Sequence, residues 1–335
     1  MPDTPHTLIV SVNWIGDAIM AMPAVQCFRA AYPNERITVM AKPGIEPLWR
    51  IHPDVDDTLV FESGLRGTLK TVQCLRDAGP FTRTYIMPHS FRSAWAPFLA
   101  RIPQRIGLPG DFRAWLVHEI VHPNLSVERQ HQQYEYVDLL VPGWQGDSPP
   151  APNLQVPDEV QMKMNSQLNV TEGMRVGLVP GAARGPSKQW PTEHFIALGQ
   201  RLAAEADVDI VVAGAASEQV LCERVAEAIG SRASSWAGRT NVYEWLALLA
   251  TCDVVVANDS GAMHVATALG RPVVALYGIT DPATTGPLGD HAIVLQHSEK
   301  RQRDVPRESV EACEALAAIT PDEVYDAVWR AAGKG

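Results

Sequence analysis

The 335-residue sequence predicts an α/β protein made of two doubly wound domains in tandem, and three observations carry that prediction. Short Val/Ile/Leu-rich runs alternate with longer stretches of helical period, the pattern of parallel strands covered by helices on both faces. The alternation occurs twice, and between its two occurrences, from Val141 to Gly173, the text is dense in Pro, Gly, Asp and Ser. At ~100–200 residues per domain the length suits two compact units.

In the first half the runs predict strands near Thr7–Val12, Arg36–Ala41, Thr58–Phe61 and Arg83–Met87, separated by helices near Ile15–Tyr32, Leu65–Ala78 and Ser90–Ala100. Pro33-Asn34, Lys42-Pro43-Gly44 and Gly79-Pro80 punctuate them. The second half restarts with buried strands at Arg175–Val179, Asp209–Ala213, Val254–Ala257 and Val273–Leu276. Helices are expected near Thr192–Ala206, Ser217–Ile229, Val242–Ala250 and Gly261–Leu269. Thr320-Pro321-Asp322-Glu323 then supplies an N-cap, a proline at the first helical position and a glutamate three residues after the cap, so a helix closes the chain. The expected division is 1–165, 166–319 and a terminal helix at 320–335. Two Rossmann-like domains side by side are the simplest account, with ligands in the cleft at the carboxyl ends of their strands.

Composition narrows the function. Hydrophobic residues make up 46% and charged residues 20%, which is globular. Twenty-eight Lys+Arg against 38 Asp+Glu give a formal charge of −10, which argues against coating a nucleic-acid backbone. The opening MPDTPHTLIVSVNW lacks a basic n-region, and no run reaches the ~18 apolar residues of a membrane span, so a cytoplasmic protein is expected. The five widely spaced cysteines include no C-x-x-C and read as reduced packing residues.

Three turns could carry chemistry. After the first strand comes Asn13-Trp14-Ile15-Gly16-Asp17, where Gly16 permits close approach. Asp17 in a first helical turn reads equally as a dipole-stabilising acid or as a catalytic base. Pro180–Pro191, PGAARGPSKQWP, is a glycine-rich loop before a proline-started helix; its amides with Lys188 and Arg184 could take phosphate, although it fits neither a Walker A loop nor G-x-G-x-x-G. The missing fingerprint also argues against a two-domain NAD(P) enzyme. Asn258-Asp259-Ser260-Gly261 runs from a buried strand into a helix N-terminus, either a plain cap or a diphosphate seat, with His264 one turn on as ligand or core residue.

Charge runs add two features. Arg83, Arg92, Arg101, Arg105 and Arg113 face a single acid, Asp111, in a local anion site or a solvated face. Lys300–Arg307 is a second basic run with the same two readings. Metal chemistry has little support: Asp54-Val55-Asp56 and Asp207-Val208-Asp209 match D-x-D but read as turn acids, and His118 and His122 lack the H-E-x-x-H order.

The segments NWIGDAIMAMPA, MPHSFRSAWAPFLARIPQRIG, PGAARGPSKQWPTEHFIAL and NDSGAMHVATALGRPVVALYG jointly resemble the ADP-heptose:lipopolysaccharide heptosyltransferases of Gram-negative bacteria, nearly end to end. W-x-G-D, P-x-S-F-[KR]-S-A and G-P-x-K-x-W-P are more similar to the heptosyltransferase II branch than to heptosyltransferase I. Ala183 and Arg184 stand where heptosyltransferase I-like loops carry threonines, so Ser187 or backbone amides would have to replace those contacts.

The resemblance implies a GT-B architecture of two Rossmann-like domains facing a central cleft, the first binding acceptor, the second ADP-heptose, with the terminal helix packing back on the first. It implies inverting transfer to a heptose of the inner core, with Asp17 as general base and Lys188 neutralising the departing ADP without a metal. Gly16, Ser187, Asp259, Ser260, Gly261 and His264 would hold donor phosphate or heptose, Glu218 the ribose, and Thr240 and Asn241, chiefly through backbone, the adenine. Ser90, Arg92, Arg105 and Arg113 would meet the anionic acceptor, a heptosylated Kdo-lipid A reached by peripheral contact with the inner membrane. No cofactor, no nucleic acid and a monomer are implied. The rivals are a related transferase acting at another core position and a non-catalytic nucleotide-sugar-binding protein.

Overall fold

The computed structural model describes residues 4–110, 112–168, 173–205, 207–302 and 305–333. Of the positions singled out above, Asp111, Arg303 and Asp304 lie outside the described residues. The chain divides into two compact units, Met1–Gln155 and Val156–Gly335.

The first unit runs β1 (His6–Val10), α1 (Ile15–Ala31), β2 (Arg36–Ala41), α2 (Glu46–Arg50), β3 (Asp57–Val60), α3 (Gly64–Ala78), β4 (Arg83–Ile86), α4 (Phe91–Leu99), β5 (Gln104–Gly107), β6 (Glu119–Ile120) and α5 (Gln133–Leu140). Its parallel sheet has the order β3-β2-β1-β4-β5-β6. The central strand β1 is buried along its whole length because both faces of the sheet are covered there. Trp49 is fully buried and donates its indole N–H to Ser11 Oγ at 2.7 Å, which fixes the turn that leaves β1.

The second unit runs α6 (Asp158–Gln167), β7 (Met174–Val179), α7 (Thr192–Ala203), β8 (Val208–Val212), α8 (Gln219–Ile229), β9 (Ala233–Ser235), α9 (Val242–Ala250), β10 (Val254–Asn258), α10 (Gly261–Ala268), β11 (Val273–Leu276), α11 (Pro282–Thr285), β12 (Ala292–Leu295), α12 (Val310–Ala317) and α13 (Pro321–Ala331). Its order, β12-β11-β10-β7-β8-β9, repeats that of the first sheet element for element. In each sheet the chain reverses direction of growth between the first and fourth strands, β1 and β4 or β7 and β10. This switch point is where open α/β sheets leave room for ligands.

Two expectations are revised. Residues 156–165 belong with the second unit rather than the first, because α6 docks on α9: Gln161 Nε2 donates to the Ala247 carbonyl at 3.3 Å and Lys163 pairs with Glu244 at 2.6 Å. The terminal helix α13, expected to pack back on the first domain, is seated in the second unit's own core. Its apolar stripe Val324, Ala327 and Val328 is buried among the residues of β7, β10, β11 and α7. The expected cap is present, with Thr320 Oγ1 accepting from Glu323 N at 3.3 Å and Glu323 accepting from Thr320 N at 2.8 Å.

Candidate active site

In the second unit the loops leaving β7 and β10 stand side by side because their strands pair. Asn258, the last residue of β10, is fully buried and joins the two loops. Its Oδ1 accepts from Trp190 N at 2.9 Å, and its Nδ2 donates to the carbonyls of Pro180 and Gly181 at 2.9 and 3.2 Å. One amide thus holds both ends of the glycine-rich loop. Trp190, the tryptophan of K-x-W-P, is buried and donates its indole N–H to the Ile319 carbonyl at 2.9 Å.

Held this way, the loop delivers Lys188 to Asp259, with Nζ and Oδ2 at 2.5 Å and side chains only 11% and 8% exposed. Two charges so removed from water need each other. Ser187 Oγ and Ser260 Oγ are buried atoms with no hydrogen-bond partner among the described residues. Buried hydroxyls are rarely left so, and both flank the ion pair in sequence, so the pair is bordered by unused hydrogen-bonding capacity. Ser260 is the N-cap of α10 with extended backbone and no side-chain cap bond, so the helix start keeps its amides for an anion. His264 is buried in the first turn of α10. Behind Asp259 lies Tyr277, whose hydroxyl donates to the Thr285 carbonyl at 2.9 Å. Burial, and then the Asp259 carboxylate, push this phenol well above its ordinary value, so it stays neutral.

The sequence-predicted donor residues do not all converge. Glu218 does border the loop: its carboxylate accepts from Ala215 N at 2.8 Å and packs against Gly181, where a Cβ would overlap it. Asn241 caps α9, accepting from Glu244 N at 3.0 Å while Glu244 accepts from Asn241 N at 3.1 Å, and Thr240 precedes this cap. Among the described residues of the basic run Lys300–Arg307, Arg307 reaches the loop. Its carbonyl accepts from Ser187 N at 3.3 Å, and a Cβ at Gly185 would stand 2.7 Å from its Cγ. Lys300 is paired elsewhere, with Glu311.

Gly185 has φ of +95° and ψ of −165°, a conformation open essentially only to glycine. Gly185→Ala is therefore expected to cost about 1–3 kcal/mol of stability. A lower melting temperature checks this; an unchanged one would show that the loop accommodates a Cβ there.

In the first unit, the loops leaving β1 and β4 are likewise neighbours. The first places Gly16 and Asp17, both half-buried, in the opening turn of α1, whose N-cap Trp14 makes no side-chain cap bond. A carboxylate there sits at the positive end of the helix dipole. The second presents Ser90, the exposed N-cap of α4, and exposed Arg92.

Arg105 and Arg113 do not join them. Both guanidinium groups are buried and engaged. Arg105 donates to the carbonyls of Leu116 and Ile102 at 2.6 Å each and lies over the Phe98 ring. Arg113 donates to the carbonyls of Pro88 and Leu108, and burial pushes its pKa down to about 10, still a cation at neutral pH. Both lie among backbone carbonyls beneath the loops, away from exposed Ser90 and Arg92. Next to them Glu135 holds the His89 imidazole above its ordinary pKa through a 2.9 Å contact, and His89 Nδ1 bonds the Pro109 carbonyl at 2.6 Å.

Sequence reasoning gave no individual role to Asn258, Tyr277 or Arg307, although Asn258 and Arg307 lie in segments it singled out. Asn258 had a signal, a polar residue ending the apolar run VVVA, whereas the other two become visible only through strand order and loop packing.

The D-x-D acids are engaged as well. Asp56 pairs with Arg29 at 2.6 Å and Asp209 with Arg175 at 2.9 Å, and among the described residues no group of three or more His, Cys, Asp and Glu could hold a metal ion.

Two parallel six-stranded sheets, each with polar turns at its switch point and one with an anion-ready helix start beside a buried lysine, define a glycosyltransferase of the GT-B type. The chain matches glycosyltransferase family 9 (heptosyltransferase) over residues 69–314, and it belongs to that family. It is 32% identical to lipopolysaccharide heptosyltransferase 2 of Escherichia coli strain K12 over 95% of this chain and 96% of that one. It is 33% identical to the protein of the same name from Salmonella typhimurium over 86% and 87%. Among solved structures, E. coli ADP-heptose LPS heptosyltransferase II superposes with a TM-score of 0.85 at 29% identity, covering 98% of this chain and 99% of that one. A family 9 glycosyltransferase from Veillonella parvula shares the fold with a TM-score of 0.87 at 20% identity, over 100% and 99% of the two chains.

Proposed function

We propose that this protein is a heptosyltransferase II: it moves heptose from ADP-heptose to a heptose of the lipopolysaccharide inner core, with inversion. The observation that carries the reading is the buried Lys188–Asp259 pair, bordered by the unpartnered hydroxyls of Ser187 and Ser260 at the start of α10, in a chain related to heptosyltransferase 2 along nearly its whole length. In this reading the diphosphate takes the α10 amides, Ser187 and Ser260, with Gly261 allowing its close approach. Lys188 turns from Asp259 to meet the charge that develops on departing ADP. Asp259, released, and His264 orient the heptose, and Glu218 takes the ribose hydroxyls. Arg307 adds a cation at the loop's outer side. Asp17, with Gly16 beside it, accepts the proton of the attacking acceptor hydroxyl, while Ser90 and Arg92 bind acceptor phosphate or carboxylate. The acceptor is a Kdo-lipid A that already carries one heptose, met by a monomer at the cytoplasmic face of the inner membrane. No helix among the described residues is long and apolar enough to cross a membrane.

The deciding experiment offers ADP-heptose with lipid A carrying Kdo alone, and with the same carrying one heptose, followed by mass spectrometry. Gain of one heptose on the second acceptor alone is expected; gain on the first would make the protein a heptosyltransferase I, and gain on neither with donor still bound would point to another core position or a binding protein. The same assay in excess EDTA should proceed at an undiminished rate, because Lys188 performs the task a divalent ion has in D-x-D enzymes. Loss in EDTA with recovery on adding Mg²⁺ would overturn the metal-free mechanism.

A further inference from the structure

The first unit carries an aromatic cluster of which Trp95 and Phe98 pack partly against its core while the neighbouring rings face solvent. Along α4 and the loop before β6, the rings of Phe91, Trp95, Phe98 and Trp115 form one cluster, with centroids 5.6 Å apart for Phe91–Trp95 and Phe98–Trp115 and 5.9 Å for Trp95–Trp115 and Phe91–Trp115. Trp115 is nevertheless 60% exposed, and nearby Phe112 is 90% exposed. Phe112 also has φ of +55°, a left-handed backbone that disfavours a bulky side chain. A strained, solvent-exposed phenylalanine gains nothing for stability, and such outliers persist where a function holds them.

The surface is rigid and cationic. Buried Arg113 ties the Pro88 carbonyl, at the foot of α4, to the Leu108 carbonyl of the loop that carries Phe112 and Trp115. Arg92 and Arg101 are exposed on α4 and just beyond its end, and Arg76 reaches the Leu99 carbonyl at 2.8 Å from α3. Of the four arginines from Ser90 to Val117, Arg92 and Arg101 are the exposed ones, within a chain of net charge −10.

We infer that this surface is a bilayer-docking face: Phe91, Phe112 and Trp115 enter the interfacial layer of a membrane whose anionic headgroups pair with Arg101. Indole and phenyl rings partition to the bilayer–water interface, and arginines beside them select negatively charged lipid. A bilayer fits better than a partner protein because α4 itself begins with Ser90 and Arg92. A saccharide held there and anchored by its own acyl chains would bring the lipid plane to the same helix. This choice rests on the acceptor being lipid-anchored.

The test compares wild type with Phe112→Asn and with the double variant Phe112→Asn/Trp115→Ser. Asparagine tolerates the left-handed backbone, so the single variant should melt no lower than wild type. Sedimentation with phosphatidylcholine vesicles containing phosphatidylglycerol should fall roughly tenfold in the double variant, and vesicles of phosphatidylcholine alone should bind wild type weakly. Turnover of the acceptor embedded in vesicles should fall in parallel, while turnover of the same acceptor, deacylated and free in solution, stays unchanged. Undiminished vesicle binding, an equal loss on both acceptors, or a wild-type dimer that the double variant dissociates would each overturn the inference. A wild type that turns over neither acceptor would instead defeat the proposed reaction, and sedimentation alone would still decide the docking face.

Discussion

Asp17→Asn is expected to lower kcat for heptosyl transfer by roughly 10²–10⁴-fold with little change in the affinity for ADP-heptose. Asparagine keeps the shape of the side chain and removes its ability to take a proton. Asp17 stands in the first turn of α1, so part of its value could lie in stabilising the helix, which is worth roughly 0.3–1 kcal/mol at such positions. The two roles separate cleanly, since the helix contribution appears in the melting temperature and the proton transfer in kcat. A variant that melts slightly lower and turns over normally would leave Asp17 as a first-turn acid and move the search for the base elsewhere.

Lys188→Ala should act on both quantities. Removal of the ammonium strands the Asp259 carboxylate, only 8% exposed, and breaking such a pair costs about 3–5 kcal/mol. It also removes the cation assigned to the leaving diphosphate, for which a loss of roughly 10²–10³-fold in kcat is expected, as for other single donors to developing charge. Adding Asp259→Asn removes the stranded charge, so the double variant should regain much of the melting temperature and remain slow. Near-normal turnover in Lys188→Ala would make the pair a structural latch.

The sheets and the turns at strand ends were legible because their signals are local: Val254–Ala257 is continuously apolar, as a strand covered on both faces must be, and Asn258-Asp259-Ser260-Gly261 interrupts it where a helix begins. Edge strands such as Ala233–Ser235 and Glu119–Ile120 were not, being too short to show a period and poor in β-branched residues. Strand order was not local either, yet it is what makes the Asp17 turn and the Ser90 turn neighbours. The arginines show the limit most clearly. In the sequence Arg92, Arg105 and Arg113 are alike, while in the structure Arg92 is exposed and the other two are enclosed by backbone carbonyls. Gly107 and Gly110, where a Cβ would stand 2.9 Å from atoms of Arg113, are the trace that burial leaves in the sequence. The terminal helix was read correctly as a helix from its cap, but its seat depends on tertiary packing that the cap does not encode.

That seat has a genetic consequence. The indole of Trp190 is bonded to the carbonyl of Ile319, immediately before the helix whose Val324, Ala327 and Val328 close the second core. A stop codon in the first turns of α13 would remove the stripe Val324, Ala327 and Val328 and no residue of that helix that is assigned to substrate. It would still uncover the tryptophan that anchors the lysine loop, so such an allele should behave as a null, whereas missense changes on the helix's outer side, such as at Asp326, should pass unnoticed.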